Sequence, residues 1–74
     1  MNSPGSILFD EAFKFSIILK GKEILEVTTL FDMLIMVEKG EEPNYKKLVK
    51  FLRPGETVEV LLIDGHYYQV KRKE

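Results

Sequence analysis

VEVLLIDGHYYQV, residues 58–70, decides the fold, because it reads as a hairpin whose register depends on how many residues form its loop. Val58, Val60 and Leu62 recur at every second position, the period of a strand with one face on a core. A two-residue Asp64-Gly65 turn, the favoured use of this dipeptide, would set Val60 opposite Gln69 and Val58 opposite Lys71. A three-residue loop of Ile63, Asp64 and Gly65, with Gly65 left-handed in a G1 bulge, instead pairs Val60 with Tyr68 and Val58 with Val70. A slip of one residue moves every side chain to the other face, so the bulged loop is predicted. Leu61/Tyr67, Glu59/Gln69 and Thr57/Lys71 then share the outer face. His66, the sole histidine, stands opposite Leu62 as a turn-flanking residue.

Working outward, Phe13, Phe15, Ile17 and Leu19 alternate with Lys14, Ser16 and Lys20, and Gly21-Lys22 supplies a turn into a second strand, EILEV. Thr29 is the expected N-cap of a helix that carries Asp32 in its first turn and stops at Gly40. Leu30, Met33, Leu34 and Val37 form its main stripe, but Phe31, Ile35 and Met36 lie outside it. A helix apolar on most sides must be covered on most sides. A second helix runs from Asn44 as N-cap to Pro54-Gly55, with Tyr45, Leu48, Val49 and Leu52 on one face. Lys46, Lys50 and Arg53 fall within about 60° on the opposite face, flanked by Lys47. The resulting fold class is α+β: hairpin, helix, helix, hairpin, with a four-stranded, mostly antiparallel sheet and both helices on one face. Residues 1–6 read as a disordered tail and 7–74 as one domain.

The chain has 74 residues, 45% of them hydrophobic and 31% charged, a globular balance. A domain this small buries only roughly 60% of the surface its unfolded chain exposes, so its stability is marginal without further help. Cysteine is absent and histidine occurs once, which leaves no disulfide framework and argues against structural zinc. Glu and Lys carry most of the charge, a bias of thermophile proteins. No secretory leader and no membrane span are evident, so a cytoplasmic protein is expected. Net charge is −1, yet residues 1–42 hold four Lys against eight acids and residues 43–74 hold seven Lys/Arg against four. Such asymmetry suits head-to-tail self-association or an acidic partner.

Residues 15–37, FSIILKGKEILEVTTLFDMLIMV, resemble the opening of small β-grasp proteins of the sulfur-carrier and ubiquitin-like type. The matching positions are Gly21, Lys22 and Glu23 in the turn region and Thr29, Leu30 and Leu34 in the helix. The resemblance implies a β-grasp-like sheet and a binding scaffold. Carrier chemistry in that family needs a C-terminal Gly-Gly, where this chain has Val70-Lys71-Arg72-Lys73-Glu74. Residues 52–65, LRPGETVEVLLIDG, are also similar to pieces of small nucleic-acid-binding β-modules, such as swapped-hairpin regulators and Sm-like barrels.

Nucleophilic catalysis needs an activated Ser, Cys or Lys within reach of a base; the serines are Ser3, Ser6 and Ser16 and His66 is the sole imidazole, so a Ser-His-acid site is not expected. A non-enzymatic protein without cofactor or metal is therefore expected. Two partner classes follow. Phe31, Ile35 and Met36 are the expected interface of a homodimer or other protein complex. Lys46, Lys47, Lys50, Arg53, Tyr67, Lys71 and Lys73 are the alternative, a nucleic-acid surface in which cations meet phosphates and Tyr67 stacks a base.

Overall fold

The computed structural model describes residues 13–73, so the expected tail lies outside the described residues. Four strands, β1 (Phe15–Leu19), β2 (Lys22–Val27), β3 (Thr57–Leu61) and β4 (Tyr67–Arg72), form one sheet in the order β2-β1-β4-β3. Helices α1 (Leu30–Met36) and α2 (Tyr45–Lys50) come between the hairpins in sequence. All three strand pairings are antiparallel. The class is α+β, as the patterning requires, but the β-grasp resemblance is not confirmed.

The C-terminal hairpin has the predicted register, with Val58 opposite Val70, Glu59 opposite Gln69 and Val60 opposite Tyr68. The Leu62 amide donates to the His66 carbonyl at 3.0 Å and the Gly65 amide to Leu62 at 2.9 Å, closing the three-residue loop. Gly65 has φ +88°, and a Cβ built there would meet nothing within 4 Å. Gly65→Ala therefore tests backbone strain alone, and a loss of about 1–2 kcal/mol is expected in urea unfolding. An unchanged midpoint would remove the left-handed loop from the account.

The first hairpin differs by one residue from the sequence reading. Its turn is Lys20-Gly21, with φ of 53° and 81°, and β2 starts at Lys22 opposite Leu19. Two positive-φ residues match the twist of the flanking strands, which Gly21-Lys22 would not do without Lys22 left-handed. That turn alone would bring Glu26 opposite Phe15. The register instead shifts between Ile17 and Ile18, leaving Ile24 as an extra residue, so that Val27 faces Phe15 and Glu26 faces Ser16. The irregularity thus returns an apolar residue to the core face, and it disrupts an edge strand that could otherwise template pairing.

Phe15, Ile17, Val60 and Val70 from the sheet meet Met33, Val37 and Val49 in one core, each of these side chains almost fully buried. Thr29 caps α1 by accepting the Asp32 amide at 3.0 Å, and Asn44 caps α2 by accepting the Lys47 amide at 3.1 Å. Both helices end earlier than predicted. Val37 leaves α1 to bridge Leu62, with the Glu38 amide donating to Leu61 at 2.8 Å and the Ile63 amide to Met36 at 2.9 Å. A long-range sheet contact thus overrides a local helix signal. At α2, Phe51 is the C-cap, Arg72 Nη1 donates to the Leu52 carbonyl at 2.8 Å, and the Arg53 amide donates to Glu56 Oε1 at 2.8 Å. Pro54 also disfavours helical backbone at Arg53.

Candidate functional site

On α1 the core consumes Leu30 and Met33 completely and Leu34 in part. Phe31 and Ile35, one turn apart and about 40° from each other around the axis, remain 61% and 53% exposed. Met36 lies about 100° further round, half-buried against the core, and does not join them. Of the three residues singled out for a protein interface, two therefore form an exposed apolar flank.

Beyond Leu34 the surface falls into an open groove of about 540 Å³ between the two helices, with Leu34 and Phe51 as its apolar parts and Lys39, Lys46, Lys47 and Lys50 around them. Phe51, at 66% exposed, also lines a second depression of about 470 Å³ with Leu48 and Val58. Among the described residues no Asp or Glu lines the four-lysine groove and none of these lysines is in an ion pair. Lys46 is partly buried, whereas Lys39, Lys47 and Lys50 are exposed. Lys39 and Phe51 were missed in the sequence. For Phe51 a signal existed: on a helical projection it falls about 40° from Lys47, away from the apolar face of α2.

The remaining cations sit on other elements and do not line the groove. Arg53 lies past the end of α2, where its backbone amide donates to Glu56 Oε1 at 2.8 Å. Lys71 and Tyr67 project from β4 on the sheet face away from the core, Lys71 between Ser16 and Thr57. The Tyr67 ring packs edge-on to Tyr45 with centroids 6.3 Å apart. Lys73 Nζ bonds Glu26 Oε2 at 2.8 Å and lies 3.8 Å from Glu23 Oε1. That hydrogen bond and the opposite charge hold the Glu26 carboxyl below its ordinary range and raise the Lys73 ammonium. Beneath this cluster Ser16, 4% exposed, donates to Glu23 at 2.6 Å, which explains a serine on a largely covered central strand.

His66 serves the turn. Its amide donates to Asp64 Oδ1 at 2.9 Å, while the Tyr68 hydroxyl donates to Asp64 Oδ2 at 2.6 Å. The Tyr68 bond first, then the His66 amide, holds the Asp64 carboxyl below its ordinary value. A carboxyl easier to ionise when folded contributes fully above the unfolded value, about pH 4, and less as pH falls through the lower folded one. Asp64→Asn is accordingly expected to lose some stability at neutral pH and to show a shallower decline between about pH 5 and pH 3 than the parent. Urea unfolding at stepped pH measures both, and parallel acid limbs would contradict the coupling.

Among the described residues no cluster of three His, Asp or Glu side chains is placed to hold a metal ion. Ser16 and His66 occupy separate elements with different partners, and Ser3 and Ser6 lie outside the described residues. No described helix is long and apolar enough to cross a membrane. The chain matches no protein-family model, no curated protein and no solved structure at a significant level.

Proposed function

We propose that this protein is a non-enzymatic protein-interaction module that self-associates through the exposed flank of α1. The observation that carries the reading is the exposure of Phe31 and Ile35 on a helix whose other side is committed to the core. Residues one turn apart suit a two-fold contact, in which Phe31 of each copy packs on Ile35 of the other. Asp32 is the only charged side chain of α1, and at about 60° from Ile35 around the axis it borders the apolar flank.

Magnitude sets the expected strength. Four such side chains contribute at most roughly 6–12 kcal/mol of apolar burial before the entropic cost of association is subtracted. A reversible dimer with a dissociation constant in the micromolar range, about −8 kcal/mol or weaker, follows. Sedimentation velocity over a concentration series from about 10 to 500 µM tests this. A weight-average coefficient that rises with concentration supports the module, and a constant monomer value across the series rejects it.

The nucleic-acid alternative is less well supported, because its seven residues divide between the inter-helix groove, the α2–β3 loop and the open sheet face, and Lys73 is occupied by Glu26 and Glu23.

A further inference from the structure

We infer that the groove between α1 and α2 is a second contact site, which takes a short amphipathic segment of another protein whose Asp or Glu residues flank one or two large apolar side chains. Four lysines line one groove, and among the described residues no Asp or Glu lines it. Lys46 and Lys50 are one helical turn apart, a spacing at which like charges oppose each other. An acidic occupant relieves it. Charge alone does not describe the site, however: Leu34 and the largely exposed Phe51 ring sit among the lysines, and an apolar side chain laid against them removes that surface from water.

The same features select among occupants. A second copy placed symmetrically would bring one lysine rim against another, which costs affinity, so the groove is distinct in its partner from the Phe31–Ile35 flank. A nucleic-acid strand would need cations continuing along its path and further stacking rings. Here, among the described residues, Phe51 is the only aromatic lining the groove. A groove between helices, apolar in the middle and charged at the rim, is the receptor side of helix-in-groove recognition.

Selection from a randomised peptide display library against the full chain tests the assignment, run on the parent and on Phe31→Glu/Ile35→Glu, which retains all six groove residues named above. The expected result in both is enrichment of peptides with Asp or Glu within a few positions of Leu, Ile, Phe or Trp. A selected peptide, followed by fluorescence anisotropy, is expected to lose at least about tenfold in affinity with Phe51→Ser and separately with Lys47→Glu/Lys50→Glu, and to weaken as salt rises. Lys47, Lys50 and Phe51 are exposed, and circular dichroism verifies that the variants are folded. Failure to enrich, enrichment without an acidic signature, or binding indifferent to both variants overturns the proposal. So does a thymidine 20-mer that displaces the selected peptide and loses affinity with the same variants, since that outcome assigns the groove to nucleic acid. Because the double-Glu variant lacks the apolar flank of α1, a groove that works there stands whether or not the chain dimerises.

Discussion

Phe15→Ala is expected to be the most destabilising single truncation in this domain, at about 3–5 kcal/mol. Phe15 is fully buried in β1, a central strand, with Val27 of β2 on one side and Arg72 of β4 on the other. Replacing a buried Phe by Ala costs about 3–5 kcal/mol, through lost transfer energy and the cavity left behind. A chain of this length has roughly 4–11 kcal/mol in total. The variant therefore ranges from largely unfolded, if the parent lies at the low end, to folded with a much reduced margin. Urea unfolding followed by circular dichroism measures the loss, and a cost below about 1 kcal/mol would mean that the core does not centre on β1.

The largest effect on association is expected from Phe31→Glu with Ile35→Glu. Both side chains are more than half exposed, so the substitution leaves the core untouched and the urea midpoint should move little. In a two-fold contact it places four carboxylates where four apolar groups met, combining lost burial with like-charge repulsion. Dimer formation should fall by at least about a hundredfold, roughly 2.7 kcal/mol, leaving a monomer throughout the accessible concentration range. Met36→Glu makes an informative contrast. Met36 packs partly against the core, so its loss should appear in the urea midpoint before it appears in association. A double-Glu variant that still dimerised like the parent would move the interface elsewhere on the molecule.

What was legible in the sequence was local or strictly periodic. The register at Val58–Val70 and Val60–Tyr68 could be read because only one loop length keeps both apolar sets on one face. Thr29 and Asn44 announced their helices because each carries an acceptor for the amide three residues on. What escaped depends on distant parts of the chain. Val37 has helical neighbours, but Leu62 draws it into a bridge and ends α1 three residues before the Gly40 stop signal matters. Ser16 looked solvent-facing until Glu23 and Lys73 closed over it. The Ile24 irregularity follows from the turn being Lys20-Gly21, which strand alternation alone does not specify.

The candidate sites divide in the same way. Phe31 and Ile35 were visible as apolar residues off the main stripe of α1, and the fold leaves them exposed. The lysine groove was half visible, since Lys46, Lys47 and Lys50 share a short helix, whereas Lys39 and Leu34 join them only because α1 packs beside α2. Lys73 shows the converse. Its place in a basic tail suggested a free cation, and the sheet pairs it with Glu26 on β2, 47 positions away.

The most direct test of the central claim is the dilution of isotope-labelled protein followed by amide chemical shifts, from about 1 mM to about 20 µM, a range that spans a micromolar dissociation constant. The account predicts that the shifts moving with concentration centre on Phe31 and Ile35 and their neighbours in α1, while those of β2 stay fixed. Spectra that do not change across the range, or changes centred on β2 and not on α1, would contradict it.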